Sequence, residues 1–266
     1  MFPSQSALRL VGLSAWASIT RRQISDLATH DLNCLIVGPP SSGRRFVARL
    51  IHARSGRSLQ PFIPVRCDVL PDELFCSQFF GVAAGELTTK CKATLGAARA
   101  ANGGTLFLGN IDHLDPLSQW ELLGFMASRK SRAEGSDQAY PCDVRMLASC
   151  SPDVYDALSL GQFDVDLHDQ FAESVVETVS LADRTADIPA LANYFLQQRT
   201  ISLGLAEKSL EPSALDWLRV QSWLGNIGEL RGLMHELAAD LSSDSIDHET
   251  IRLWIANRSL RPSLPG

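Results

Sequence analysis

A short apolar run that leads through a glycine-rich turn into an amphipathic helix is the feature that most limits how this chain folds. Asn33–Val37 has the composition of a buried strand, and residues 44–53 place apolar side chains at the helical period. The further strand candidates are Phe62–Arg66, Gly104–Leu108, Val144–Ala148 and Glu177–Leu181. Strands separated by helical crossovers predict an α/β fold, in which helices cover both faces of a parallel sheet. Pro64 places its strand at the sheet edge, because proline has no N–H to donate.

The β pattern gives way to helical patterns after about Asp187. The predicted helices there are Ile188–Leu203, a helix opened by Pro212, residues 229–241 and residues 246–257. The sequence therefore predicts an α/β part over residues 1–183 and an all-helical part over residues 184–266. Residues 128–138 are the most loop-like stretch, because small polar and charged residues fill them.

The composition of the 266 residues argues against several classes of protein. Hydrophobic residues at 45% and charged residues at 20% are typical of a packed globular protein, and a net charge of −6 argues against binding nucleic acid through overall charge. The chain has no apolar run of membrane-spanning length and no signal-peptide layout, so we expect no membrane contact. The six cysteines and six histidines are scattered without metal-ligand spacing. They predict a reduced, cytoplasmic protein without a metal site.

The glycine-rich turn has the spacing of a phosphate-binding loop. Gly38 and Gly43 match the motif G-x-x-x-x-G-K-[ST], in which backbone N–H groups and a lysine hold phosphates. Arg44 stands at the lysine position; it keeps the charge, but its guanidinium is longer and planar. The candidate nucleotide-binding residues are Gly38, Pro39, Pro40, Ser41, Ser42, Gly43, Arg44 and Arg45. From the motif alone, a strand–turn–helix connection with incidental glycines fits equally well.

Five segments match one known family in order along the chain. They are Phe46–His52, Pro61–Val65, Gly103–Leu108, Asp187–Leu196 and Trp223–Arg231. The last two read D-I-P-A-L-A-N-Y-F-L and W-L-G-N-I-G-E-L-R, beside the family's D-I-P-L-L-A-x-x-F-L and W-P-G-N-V-R-E-L-R. From about Leu10 to Asn257, the chain resembles the sigma-54-interacting AAA+ domain of bacterial enhancer-binding transcription activators. The resemblance implies a P-loop NTPase fold with a three-layer α/β/α arrangement around a five-stranded parallel sheet, then a small helical lid. It also implies ATP at residues 38–45 and near Gly228.

The chain departs from this family at positions that bind the nucleotide and catalyse its hydrolysis. In the family, an Asp-Glu pair ends the Walker B strand; the Asp holds Mg²⁺ and the Glu polarises the attacking water. The aligned residues here are Gly109 and Asn110, so the resemblance carries over neither the Mg²⁺ ligand nor the base. Asp112 and Asp115 follow closely, and we expect them to be solvated loop carboxylates rather than displaced catalytic groups.

Other family positions with a role at the nucleotide are also replaced. Arg66 stands for the asparagine that restrains the catalytic glutamate, and Ser151 for the asparagine of sensor I. Asp164 and Gln170 stand for the two arginines that reach a neighbour's γ-phosphate, and Gly228 for the arginine of sensor II. Active members form hexameric rings, but without those arginines the resemblance leaves self-association of this chain open.

The loop by which the family contacts sigma-54, G-A-F-T-G-A, is altered as well. The aligned residues are Gly85, Glu86, Leu87, Thr88, Thr89 and Lys90. Only Gly85 and Thr88 match. A surface loop retained by descent is favoured over a contact loop with a changed partner, because the new charges alter the surface presented.

Two functions follow from the resemblance and its departures. The first is a catalytically inactive pseudo-ATPase, a regulatory or interaction module in transcription whose partner is sigma-54 of RNA polymerase or an active AAA+ relative. The second is a regulator that binds ATP weakly and retains residual hydrolysis. A third, unrelated activity has no Ser-His-Asp or Cys-His signature to support it. We expect neither a sensory domain nor direct DNA binding, because no such module lies outside the matched segment.

Overall fold

The computed structural model describes residues 8–69, 71–83 and 93–259. The sigma-contact candidates Gly85–Lys90 lie outside the described residues. The chain forms two compact units. The first contains Thr20–Pro39 and Gly43–Thr178, and the second contains Leu10–Ile19, Pro40–Ser42 and the chain from Val179 onward.

Helices and strands alternate through the first unit and helices dominate the second. The helices are α1 (Ala15–Ala28), α2 (Arg44–Arg54), α3 (Asp72–Phe80), α4 (Ala97–Ala100), α5 (Pro116–Ser128), α6 (Val154–Ser159), α7 (Val165–Ala172), α8 (Ile188–Leu203), α9 (Pro212–Arg219), α10 (Asn226–Asp240) and α11 (His248–Ser259). The strands are β1 (Cys34–Val37), β2 (Phe62–Arg66), β3 (Gly81–Val82), β4 (Thr94–Leu95), β5 (Thr105–Gly109), β6 (Lys130–Arg132), β7 (Ala139–Pro141), β8 (Arg145–Cys150), β9 (Val175–Glu177), β10 (Ser209–Leu210) and β11 (Ser245–Ile246).

The first unit is organised around a five-stranded parallel sheet with the strand order β2-β5-β8-β1-β9. Every residue of β1, β5 and β8 is buried, as expected for inner strands covered on both faces. The edge position predicted from Pro64 is confirmed, since β2 is an outer strand. The α/β fold with a parallel sheet is therefore confirmed.

Aromatic and aliphatic side chains from the sheet and helices fill the core of the first unit. Phe79 packs on Phe75 of α3 and on Phe125 of α5, with ring centroids 5.3 and 5.2 Å apart. Cys34 and Cys150 are fully buried in inner strands, and burial raises the pKa of each thiol to about 12. These two thiols are therefore packing groups rather than reactive ones.

The second unit packs α8, α9, α10 and α11 around its own apolar core. Ile188–Leu203 is helical over the predicted bounds. The all-helical expectation is wrong in one detail, because Ser209–Leu210 and Ser245–Ile246 pair as short parallel strands. Two-residue strands carry no period that could be recognised in a sequence.

Two sequence expectations for the first unit need correction. The fifth sheet strand is Val175–Glu177, not Glu177–Leu181, because the chain turns at Ser180. There the Ser180 hydroxyl and the Asp183 carboxylate bond locally and start a 3-10 helix, in competition with a strand. The expected loop over residues 128–138 is confirmed only in part, since β6 pairs with β7 as an antiparallel hairpin and residues 133–138 connect the two strands.

Across the part of the chain that the structure describes, no helix is both long enough and apolar enough to span a bilayer.

Candidate functional site

Two glycines shape the loop between β1 and α2. Gly38 leaves no room for a side chain, because an added Cβ would collide with the side chain and carbonyl of Thr178 after β9. Gly43 has a φ of 111°, in the region that favours glycine, and it precedes the first turn of α2 without any side-chain cap. The first N–H groups of α2 thus receive no acceptor from a capping side chain, which is the arrangement used to bind anions.

The middle of the loop, Pro40–Ser42, is held by side chains of the second unit to which it belongs. Asn226 donates from Nδ2 to the Pro40 carbonyl at 2.9 Å and accepts from the Leu181 N–H at 2.8 Å. The guanidinium of Arg184 donates to the Ser42 carbonyl at 2.6 Å. These contacts hold two carbonyl groups of the loop, those of Pro40 and Ser42.

Arg184 is a functional-site residue that the sequence analysis missed. Its side chain is almost fully buried, and its guanidinium lies 4.0 Å from the centroid of the Trp16 ring. Burial lowers the pKa of Arg184 to about 10, which still leaves it charged at neutral pH. The only signal in the sequence was a basic residue three positions before the matched D-I-P segment.

Asp187 explains why that segment begins with an aspartate. Its fully buried carboxylate accepts from the Leu13 N–H at 2.6 Å, the Ser14 N–H at 2.7 Å and the Ser14 hydroxyl at 2.8 Å. An added Cβ on Gly12 would lie 2.6 Å from the same carboxylate. Asp187 therefore anchors the segment before α1 within the second unit.

Arg44, at the lysine position of the loop, reaches the position of the missing Walker B glutamate. Its Nη2 donates to Oδ1 of Asn110 at 2.8 Å. Its Nη1 is buried and has no hydrogen-bond partner among the described residues. Burial lowers the pKa of Arg44, while Asp112 opposes that shift. One replaced residue has thus become the hydrogen-bond partner of another.

The two residues that replace the Walker B acids, Gly109 and Asn110, lie at the end of β5, and the local geometry shows whether packing required them. Gly109 has space for a side chain, because the nearest atoms to an added Cβ lie at 3.4 Å and beyond. Asn110 adopts a left-handed conformation, with φ 57° and ψ 55°, that asparagine tolerates better than glutamate. The missing carboxylate at Gly109 is therefore a chemical change that packing did not impose.

Arg66, at the position of the family's switch asparagine, pairs with a neighbouring acid. Its Nη2 lies 2.6 Å from Oδ2 of Asp68, and its Nε donates to Oδ1 at 3.1 Å. This contact holds the pKa of Asp68 below its usual range, and the side chain of Asn110 lowers it further. The switch position thus carries an exposed ion pair instead of a neutral amide.

Both carboxylates expected to be solvated have structural partners instead. Asp112 accepts from the Ser151 N–H at 3.0 Å and from its hydroxyl at 2.9 Å, which ties it to the sensor I position. Asp115 caps α5, accepting from the N–H groups of Leu117 at 2.9 Å and Ser118 at 3.2 Å. Each acid is half-buried and accepts from backbone donors, so neither is the solvated loop carboxylate that the sequence predicts.

The positions of the finger and sensor II arginines carry no cation. Asp164 caps α7 by accepting from the Leu167 N–H at 2.9 Å, and Gln170 is exposed near the end of the same helix. Gly228 packs against the loop residue Ser41, whose hydroxyl would lie 3.2 Å from an added Cβ. Arg231, one turn along α10, is exposed.

The residues at the loop and at the end of β5 do not fit Mg²⁺. In P-loop NTPases the ion is held by the Ser or Thr after the lysine and by a Walker B Asp. Here the first position carries Arg45, which is exposed, and the second carries Gly109, which has no side-chain carboxylate. Arg44 adds a fixed positive charge beside them. Over residues 8–69, 71–83 and 93–259, no group of three or more His, Cys, Asp and Glu could hold a metal ion.

Two known protein families match the chain, and the boundary between the two matches lies close to the boundary between the two units at Thr178 and Val179. Residues 10–177 match the Sigma-54 interaction domain, and residues 182–263 match the AAA+ ATPase lid domain. The first match alone covers more than half of the chain.

Individual relatives agree with the family models. The chain is 33% identical to the transcriptional regulatory protein ZraR of Salmonella typhimurium, over 99% of this chain and 60% of that protein. It is 31% identical to the regulatory protein LuxO of Vibrio cholerae, over 88% of this chain and 44% of that one. The chain therefore spans less than two thirds of these relatives.

Solved structures of one further protein share the fold. NtrX from Brucella abortus in complex with ADP superposes with a TM-score of 0.82 at 27% identity, over 98% of this chain and 58% of that one. The same protein in complex with ATP gives 0.82 at 26% identity with the same coverage. On the family matches and this fold, the chain belongs to the sigma-54 interaction domain family of AAA+ proteins.

Proposed function

We propose that this chain is a sigma-54-activator-type AAA+ domain that does not hydrolyse ATP and serves transcription as a regulatory or interaction module. The observation that carries the proposal is the hydrogen bond from Arg44 to Asn110. It joins the position of the phosphate-binding lysine to that of the catalytic base, and Asn110 has no carboxylate with which to act as that base.

The chemistry of phosphoryl transfer supports this proposal. The reaction depends on positioning and on neutralising charge around the transferred phosphoryl group. An amide at position 110 takes no proton from water, and loss of a general base alone lowers rates by about 100- to 10,000-fold. Gly109 supplies no side-chain carboxylate for a metal, which removes a second source of rate acceleration.

A weakly ATP-dependent regulator with residual hydrolysis is the second candidate. Its support is the motif spacing of Gly38 and Gly43, the first turn of α2 without a side-chain cap, and the NtrX neighbour, which is solved with ADP and with ATP. This candidate differs from the first by requiring ATP binding and by predicting slow turnover. Sigma-54 of RNA polymerase, or an active AAA+ relative, is the proposed partner in both cases, on the strength of the family match.

Phosphate release from purified protein tests the proposal and separates the two candidates. We expect the natural chain to release phosphate from ATP and Mg²⁺ no faster than the variant Arg44→Ala, with an activator that has both Walker B acids as the positive control. Turnover that Arg44→Ala abolishes would overturn the proposal and favour the second candidate. Arg54→Ala, which removes an exposed arginine from the other end of α2, is the matched control.

A further inference from the structure

We infer that the Arg44 guanidinium takes the place of Mg²⁺ in this chain, so that the loop binds the polyphosphate of a free nucleotide without a metal ion. The inference rests on the proposed function, because it concerns the same loop. It goes further by assigning the form of the ligand, which is the uncomplexed nucleotide rather than its Mg²⁺ complex.

The first support is where Arg44 directs its charge. A lysine ammonium is a compact point charge, whereas a guanidinium is longer and offers five donors in a plane. In this chain Nη2 of Arg44 is held at 2.8 Å from the Asn110 amide oxygen, at the end of β5. That end of β5 is where the family places its metal-binding acid, and Gly109 offers no side-chain carboxylate there.

The second support is a charged hydrogen-bond donor of Arg44 that has no acceptor among the described residues. Nη1 of Arg44 is buried and has no hydrogen-bond partner in the described part of the chain. A buried polar group left in this state is destabilising, and a phosphate oxygen is a strong acceptor for a guanidinium. The uncapped first turn of α2, which Arg44 itself begins, adds backbone donors of the kind that bind phosphate.

The charged groups around Arg44 include two carboxylates, those of Asp68 and Asp112. Asp68 is paired with Arg66, and Oδ2 of Asp112 accepts from the N–H and hydroxyl of Ser151, whereas Oδ1 of Asp112 is buried without a hydrogen-bond partner among the described residues. A Mg²⁺ complex would bring a divalent cation next to the Arg44 guanidinium, and like charges repel each other, whereas the oxygens of a free polyphosphate attract it.

Calorimetric titration of the full chain with ADP and with a non-hydrolysable ATP analogue, in excess Mg²⁺ and in EDTA, tests the inference. We expect the Kd in EDTA to be equal to or lower than the Kd in Mg²⁺. Arg44→Ala should raise the Kd in EDTA by about tenfold, as expected for loss of a charge-assisted contact, whereas Arg54→Ala should leave it within about twofold. The double variant Arg44→Lys, Gly109→Asp should bind more tightly in Mg²⁺ than in EDTA, because it restores a lysine and a carboxylate.

Three results would overturn the inference. They are binding by the natural chain that Mg²⁺ tightens by more than about threefold, no binding in either buffer at millimolar nucleotide, and a double variant that stays indifferent to Mg²⁺. None of them bears on the proposed function, which is decided by phosphate release. A chain that binds without metal and still releases phosphate would leave the inference standing and overturn the proposed function.

Discussion

The side chains of the second unit and those at the end of β5 use their polar groups in different ways. In the second unit, the motif residues Asp187 and Asn226 bind backbone N–H and carbonyl groups and are buried. At the end of β5, Arg44 and Asn110 bind each other, and Arg66 binds Asp68 at the surface. Asp187 and Asn226, which match the family, thus stabilise the backbone through hydrogen bonds. Arg44, Asn110 and Arg66, which differ from the family, occupy positions at which its members bind or hydrolyse nucleotide.

Side chains that hold the fold and side chains that occupy the family's nucleotide positions are constrained differently. A side chain that satisfies buried backbone groups cannot be changed without leaving those groups unpaired. A side chain whose family counterpart contacts nucleotide can be replaced with a smaller loss of stability, because the fold does not depend on it. Stability measurements on variants of the two regions test this difference.

Removal of the Asp187 carboxylate should have the largest effect. Asp187→Ala leaves two part-buried N–H groups and the Ser14 hydroxyl without their buried acceptor, so we expect a loss of about 3 kcal/mol in the free energy of unfolding. Urea unfolding followed by circular dichroism measures it. Asp183→Ala, an exposed aspartate that bonds only to Ser180, is the matched control and should cost less than about 1 kcal/mol. Equal losses in the two variants would remove the distinction between the regions.

Replacement of Asn226 should have an intermediate effect. Asn226→Gly removes the bonds to Pro40 and Leu181 but suits the positive φ of 52°, so we expect a loss of about 2 kcal/mol. Asn226→Ala removes the same bonds and adds backbone strain, so its loss should be about 1 kcal/mol larger. Urea unfolding of both variants separates the hydrogen bonds from the backbone term. An alanine variant as stable as the glycine variant would contradict the strain argument.

The Arg66–Asp68 pair should contribute the smallest effect, and only above acidic pH. The folded state holds the pKa of Asp68 below its ordinary value of 3.8, so the folded state releases this proton at lower pH than the unfolded chain. The stabilisation is therefore present above pH 3.8 and is lost as the pH falls through the folded pKa. We expect Asp68→Asn to reduce stability by about 0.5 kcal/mol at pH 7, since Arg66 is exposed. The difference should shrink as the pH falls below 3.8, and a difference that does not shrink with falling pH would have another origin.

The sequence predicted the framework well because the framework follows local patterns. The apolar runs that became β1, β2, β5 and β8 lie where the pattern placed them, and Pro64 marked the edge strand. The helix over Ile188–Leu203 follows from its apolar period and ends at Gly204, which has a φ of 65°. The motif over residues 38–45 is continuous in the chain, so the sequence alone is enough to name the candidate phosphate-loop residues, which stay a prediction.

What the sequence could not show is how the replaced residues are used, because their partners are remote along the chain. Arg44 and Asn110 are 66 positions apart, Asp112 and Ser151 are 39, and Arg184 and Ser42 are 142. A motif comparison named the missing lysine and carboxylates one by one. Only the tertiary structure brings Arg44 to Asn110 and Asp112 to Ser151, because hydrogen bonds depend on distances of about 3 Å that no local pattern of residues encodes.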